Sequence, residues 1–224
     1  MHRRRAGVHE QVGLHLLLDP PDVGRAEARA QAAAEHHRFD VEPTAPGAEV
    51  EASRGCPYHC TFCAKETHRD VYRRREIAPL LAEIDRLIAQ GVEYLYFIDE
   101  IFLPNRPLLA ALRERDVRFG IQTRIDLWKP DMLRLLGEAG CVSVEAGIES
   151  LSPAGRDLLD KNCRLSTERL AELLVLAKRY IPFVQANLIE MPHDDAGAVE
   201  VWRKTLHGSG VCANEKGPLF PYPG

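Results

Sequence analysis

The chain has 224 residues, 45% of them hydrophobic, which is enough for one core of ordinary size and predicts one domain with appendages. Its formal net charge of −4 argues against a dedicated nucleic-acid binder, because no general basic excess exists to neutralise phosphates. No apolar run reaches the roughly 18 residues needed to span a bilayer, and His, Glu and Gln interrupt the basic opening "MHRRRAGVHEQVGLHLLLDPP" too soon for an export signal. These features predict a cytoplasmic protein.

Residues 1–48 read as an Ala- and Pro-rich leader, in which "GRAEARAQAAAEHHRF" has the composition of a helix but only a thin apolar face. From Glu49 the pattern becomes regular, and residues 49–224 read as the folded core. A first strand is expected near "AEVEAS". "REIAPLLAEIDRLIAQG" then places Ile77, Leu80, Leu81, Ile84 and Leu87 on one helical face, with Gly91 where a helix ends. Val92 to Ile98, aromatic and β-branched, is too short for a helix and reads as a buried strand.

A short helix after Pro107 follows, then a strand from Val117, a helix opened by Pro130 and closed by Gly140, and a strand from Val142. Strand starts at Val92, Val117 and Val142 are spaced by 25 residues, the length of one strand–helix unit. Helix is expected over Pro153 to Tyr180, broken around "KNCRLS", with Ser166 capping the second part. A strand from Phe183, a helix "AVEVWRKTL" and a further strand at "GVCAN" or "GPLF" complete the series. Alternation of this kind gives an α/β fold with a parallel sheet and right-handed crossovers. Five or six units fit a partial (βα)6-type open TIM-like barrel better than a closed one.

In such folds the ligand site lies at the carboxyl ends of the strands. The polar residues there are Asp99 and Glu100, then Gln122, Arg124 and Asp126, then Glu145, Glu149 and Ser150, and last Gln185, Asn187 and Glu190. Any one of them has a structural reading as a salt-bridge member, since buried charge is costly unless paired. Four strands ending alike favours a site.

Cys56, Cys60 and Cys63 lie on the loop after the first strand, at the same end of the barrel. The spacing Cys-x3-Cys-x2-Cys brings three thiolates within reach of one metal centre. Zinc would need a fourth ligand, which His59 or His68 can supply. An iron–sulfur cube has four corners, and three protein ligands leave one iron open. Cys141, Cys163 and Cys212 are scattered and read as small buried apolar residues. The run "HRDVYRRRE", with Arg69, Arg73, Arg74 and Arg75, reads as the solvated start of a helix, with a phosphate grip as the alternative. His193, Asp194 and Asp195 in "MPHDDAG" read as an acidic helix N-terminus.

The motif "CPYHCTFC" resembles the signature of the radical SAM enzymes, and "EASRGCPYHCTFC", "YFIDEIF", "QTRIDLW", "AGCVSVEAGIESLS" and "FVQANLI" resemble in particular the subgroup that carries a cobalamin-binding domain. The resemblance spans about Ala48 to Gly224. It implies that Cys56, Cys60 and Cys63 hold a [4Fe-4S] cluster whose open iron binds S-adenosylmethionine. Reductive cleavage of that cofactor would give a 5′-deoxyadenosyl radical that abstracts hydrogen from a small-molecule substrate, with electrons from a partner such as flavodoxin or ferredoxin. It also implies that Asp99 and Glu100 lie near the methionine amino group, Glu149 and Ser150 near the ribose or carboxylate, Arg124 against the carboxylate and Asn187 near the ribose. Tyr58 and Phe62 would pack beside the cluster or adenine.

Cobalamin comes with the subgroup as a candidate cofactor, but the 48 residues ahead of Glu49 are too few for its domain, and no Asp-x-His-x-x-Gly loop occurs. The chain also stops at "PLFPYPG" with no closing helix, so the expectation is a core truncated at its C-terminus. Two rivals remain: a zinc-stabilised binding module on the same cysteines, and a cluster-binding remnant without turnover.

Overall fold

The computed structural model describes residues 46–63, 71–214 and 217–218. The leader helix, His68 and Arg69 lie outside them. Strand β1 (Gly47–Val50) leads into a two-residue strand, β2 (Ser53–Arg54), then the cysteine loop, and then β3 (Arg73–Arg74). Helix α1 (Ile77–Ala89), β4 (Tyr94–Phe97), α2 (Arg106–Arg113), β5 (Arg118–Thr123) and a 3-10 turn (Ile125–Leu127) follow. The remainder is α3 (Pro130–Glu138), β6 (Cys141–Glu149), α4 (Pro153–Leu158), α5 (Thr167–Lys178), β7 (Phe183–Leu188), α6 (Ala196–Gly208) and β8 (Cys212–Ala213).

Local chemistry accounts for the boundaries. Leu80 and Ile84 bury the inner face of α1, with Ile77, Leu81 and Leu87 packed beside them. Gly91, at φ +88, takes the left-handed conformation just past the helix, which side chains disfavour. Asn105 caps α2 by accepting from Leu108 N at 3.3 Å, and Ser166 caps α5 by accepting from Arg169 N at 3.2 Å. The expected long helix is two helices, α4 and α5, with the "KNCRLS" segment between them.

Six strands form one sheet in the order β1-β4-β5-β6-β7-β8, every pair parallel. The order increases without reversal, so right-handed crossovers place all the helices on one side of the sheet, as in a barrel rather than a doubly wound fold. In register, Val50, Phe97, Ile121, Val144 and Val184 form a row under the helices, and none is more than 1% exposed. Side chains one residue away point to the opposite face. There Tyr96, Ser143, Glu145, Gln185 and Asn187 are half-buried and Gln122 is exposed. This is the α/β open barrel that the sequence predicts, with a dry outer face and a polar inner one.

Two expectations are corrected. Arg73 and Arg74 do not begin a helix; they pair antiparallel with Arg54 and Ser53, because the chain leaving the cysteine loop returns alongside its own start. Cys141 and Cys163 are buried, but Cys212 is exposed on β8, a strand with a neighbour on one side only among the described residues. Among the described residues no helix is long and apolar enough to cross a membrane.

Candidate cofactor site at the carboxyl ends of the strands

The cysteine loop is held at both ends. Asp99, just past β4 and 4% exposed, accepts hydrogen bonds from Ala52 N at 2.7 Å and from Ser53 Oγ. Burial pushes its carboxyl up to about 6, and the hydrogen bonds from Ser53 and Ala52 pull against that rise. Ser53 stands three residues before Cys56, so this bracket fixes the start of the loop on the end of β4. Farther on, Thr61 donates from N to Leu159 O at 3.0 Å and from Oγ1 to Leu158 O at 3.3 Å, docking the loop on the end of α4. Cys63 N donates to Cys60 O at 3.1 Å, which makes a tight turn of the last two ligands.

Cys56, Cys60 and Cys63 are half-buried thiols. Burial raises the Cys60 thiol, and the Lys161 and Arg124 cations act in the opposite direction. The Tyr58 ring lies against Arg124, with the guanidinium carbon 4.3 Å from the ring centroid. Arg124 also makes a bidentate pair with Asp126, Nε to Oδ1 at 3.1 Å and Nη2 to Oδ2 at 2.7 Å, and both side chains are under a tenth exposed. Its remaining nitrogen, Nη1, is buried and has no hydrogen-bond partner among the described residues. A guanidinium left with an unmet buried donor is poised for an anionic ligand.

The end of β6 is a network of buried polar groups. Glu149 sits at φ +67, accepts at its carbonyl oxygen from the Ile189 N–H at 2.8 Å, and pairs through Oε1 with Lys161 Nζ at 3.2 Å. Ser150, fully buried, donates from Oγ to Asp194 Oδ1 at 2.7 Å. Leu151 N and Ser152 N also donate to Asp194, at 3.1 and 3.0 Å. Burial opposes ionisation of Asp194, but the hydrogen bonds from Ser150 and Ser152 outweigh it and hold the carboxyl below its usual range. Arg156, also fully buried, donates to the carbonyls of Ser150, Leu151 and Leu165 at 3.0, 2.7 and 3.0 Å. Gly155 is required beneath this turn, because a Cβ there would collide with Ser150 Oγ.

The fold therefore gathers Tyr58, Cys60, Arg124, Glu149 and Lys161 around one loop, and sets Phe62 on it half-buried. It commits the polar atoms of Asp99, Ser150 and Asn187 to protein partners; Asn187 Oδ1 accepts from Gln185 Nε2 at 2.7 Å and from Asn214 Nδ2 at 3.0 Å. Glu100 is exposed beside the buried Asp99. Lys161, Arg156 and the bracketing role of Asp194 escape a reading by spacing, since their partners come from other strand ends. Asp195, in contrast, caps α6 by accepting from Ala198 N at 2.7 Å.

Three thiols on one eight-residue loop, beside the buried cations Arg124 and Lys161, have the donor chemistry to hold an anionic iron–sulfur cluster with one corner left open.

Comparison with known proteins agrees. The family model described as the Radical SAM superfamily matches residues 50–201. The chain is 24% identical over 188 residues to an uncharacterized methyltransferase of Pyrococcus horikoshii, spanning 80% of this chain and 40% of that protein. It is 26% identical over 158 residues to the hopanoid C-2 methylase of Rhodopseudomonas palustris, spanning 65% of this chain and 30% of the methylase. The solved structure of the radical S-adenosylmethionine methyltransferase TsrM from Kitasatospora setae, with tryptophan and a cofactor analog bound, superposes with a TM-score of 0.65 at 18% identity, covering 75% of this chain and 35% of that one. The chain thus spans well under half the length of these relatives.

Proposed function

Because the chain belongs to the radical SAM superfamily, we propose that it is the catalytic core of an enzyme in which Cys56, Cys60 and Cys63 hold a [4Fe-4S] cluster and the neighbouring strand ends bind S-adenosylmethionine. When bound and reduced, the cluster supplies one-electron cleavage of the cofactor and so the means to abstract hydrogen from an unreactive carbon. The protein's own part is binding, orientation and electrostatics.

The observation that carries this reading is the buried, unpartnered Nη1 of Arg124 beside Tyr58 and the cysteine loop. It is a donor suited to the carboxylate of the cofactor's methionine moiety, with Asp126 fixing the guanidinium plane and Tyr58 covering its face. Glu100, exposed at the end of β4, is assigned to the methionine ammonium. Asp99 is assigned to hold the loop that carries the cysteines, and Ser150 and Asp194 to shape the turn after β6. Glu149 and Asn187 border the ribose side, and Phe62 packs beside the cluster or adenine.

The named methyltransferases among the relatives support methyl transfer, or another radical modification, on a small molecule held against the polar inner face. Two solved neighbours are described as cobalamin-dependent or with cobalamin bound, so cobalamin is a candidate second cofactor held by a domain other than the described core. Three thiols on one loop fit a reducing compartment, and a cytoplasmic location is proposed on that ground.

Electron paramagnetic resonance on anaerobically reconstituted, dithionite-reduced protein tests the reading. The expected result is a four-iron signal whose line shape changes when S-adenosylmethionine is added. A signal insensitive to the cofactor, or one equivalent of zinc in place of iron, would overturn it.

A further inference from the structure

The inner face of the sheet carries a row of acceptor oxygens that cofactor binding does not use. Gln122 on β5, Glu145 on β6 and Gln185 on β7 are in register, so they stand side by side at the strand spacing of about 4.8 Å. Both flanking amides have their nitrogens occupied: Gln122 Nε2 donates to Tyr96 Oη and Gln185 Nε2 to Asn187 Oδ1, each at 2.7 Å. Their Oε1 atoms have no hydrogen-bond partner among the described residues, and they lie on either side of a half-buried carboxylate. The Tyr96 hydroxyl is hydrogen-bonded to that carboxylate as well as to Gln122. The nearby cations Arg124 and Lys161 are paired with Asp126 and Glu149, and among the described residues no cation pairs with Glu145.

We infer that this row seats a primary ammonium group of the substrate, with Glu145 as the residue that selects for it, an inference that rests on the function proposed above. An ammonium has three N–H donors and no acceptor, and the row meets it with a carboxylate flanked by two amide oxygens. A phosphate or carboxylate placed there would meet oxygens alone. A half-buried carboxylate with only a neutral partner is costly, and a bound cation relieves that cost through a charge-assisted hydrogen bond. Glu145, Gly147 and Glu149 alternate onto one face of β6, and the Glu149 carboxylate lies over Gly147, where a Cβ would collide with its Oε1. The row is therefore about 7 Å below the residue assigned to the ribose side, two residues along the strand. Tyr94 lies across the same face on the far side, its hydroxyl close to Gly120, where a Cβ would collide with it. The open approach to the row is thus from the carboxyl ends. Ile98, 45% exposed, neighbours Gln122 because Phe97 pairs with Ile121, and it gives the carbon skeleton next to the ammonium an apolar wall. The substrate class is a small primary amine with an apolar body.

The experiment is a ligand-detected NMR titration of reconstituted protein, with S-adenosylmethionine present, using butylamine and phenethylamine at about pH 7, where both are ammonium ions. Butanol and 2-phenylethanol, of the same shape without the charge, are the controls. The wild type is expected to bind at least one amine about ten- to a hundredfold more tightly than its alcohol, the preference one charge-assisted hydrogen bond supplies. Glu145→Gln should lose that preference and bind the alcohol as the wild type does. Its four-iron signal and the response of that signal to S-adenosylmethionine should match wild type, and its denaturation midpoint should be equal or higher, because the substitution removes a charge that no protein cation balances. Amines and alcohols bound alike by the wild type, an amine preference that survives in Glu145→Gln, or a lower denaturation midpoint in the variant would overturn the ammonium seat. A wild type whose cluster signal does not respond to S-adenosylmethionine would overturn the proposed function, and this inference with it.

Discussion

Lys161 reaches back twelve residues to close a 3.2 Å ion pair with Glu149, and both side chains are nearly removed from water, at 3% and 12% exposure. The pair locks the segment after α4 onto the end of β6, and the same cation opposes the burial penalty on the Cys60 thiolate. Removing one member of such a pair leaves an uncompensated buried charge, a change that costs about 3–5 kcal/mol. Lys161→Met is therefore expected to lose that order of stability in chemical denaturation. The double variant Lys161→Met/Glu149→Gln should recover a large part of it, and a double-mutant cycle measures the coupling. If the single and double variants are equally unstable, the pair is not what Lys161 contributes.

Asp99 makes stability depend on pH with a sign opposite to that of most carboxylates. Its folded value, about 6, lies above its unfolded value near 3.8, so the folded state binds the proton more tightly. Stability contributed through this group is full below pH 4 and falls as pH rises to about 6, by an amount on the order of 3 kcal/mol, then levels off. Asp194, Asp131 and Asp85 are shifted the other way and lose stability as pH falls below 4. Asp99→Asn keeps an oxygen for the Ala52 N–H and cannot ionise. The difference in unfolding free energy between variant and wild type should rise between pH 4 and 6 and be flat outside that window. A flat difference throughout would show that Asp99 does not titrate in this range.

How much of this was legible in the sequence depends on distance along the chain. The strands at Tyr94, Arg118 and Cys141 announce themselves because a strand–helix unit is local: aromatic and β-branched runs, Pro130 at a helix start and Gly91 at a helix end all act within a few residues. The cysteine loop is legible for the same reason. The β2–β3 hairpin is not, since two-residue strands carry no periodicity and Arg73–Arg74 looks like any solvated basic run. Nor are the brackets that shape the site. Asp99 meets Ser53 across 46 residues and Asp194 meets Ser150 across 44, and only the sheet order brings them together.

The ligand assignment separates the six cysteines into two sets. Cys56→Ala, Cys60→Ala or Cys63→Ala is each expected to abolish reductive cleavage of S-adenosylmethionine and to lower the iron retained on reconstitution. Cys163→Ala, buried on the segment between α4 and α5, and Cys212→Ala, exposed on β8, should keep both. Cys141→Ala should keep them too, with some loss of stability from the space left in the core. Iron content, visible absorption and release of methionine read the difference, and equal losses in the two sets would refute the assignment.

Arg124 is the residue whose substitution tests cofactor recognition apart from cluster binding. Its Nε and Nη2 are taken by Asp126, its face by Tyr58, and only Nη1 is left over in the buried interior. Lysine in its place keeps a positive charge near Asp126, so the carboxylate is not stranded and the fold should survive with little change in the denaturation midpoint. Lysine has a point charge instead of a planar fork, so it cannot hold Asp126 in two-pronged geometry and offer a third donor at the same time. Arg124→Lys is therefore expected to load iron like the wild type but to bind S-adenosylmethionine about ten- to a hundredfold more weakly, the loss that one charge-assisted hydrogen bond accounts for. The measurement is a titration of the reduced cluster's resonance line shape with cofactor. An unchanged midpoint would place Nη1 in the architecture of the loop alone and move the carboxylate site to the Lys161 side of Cys60.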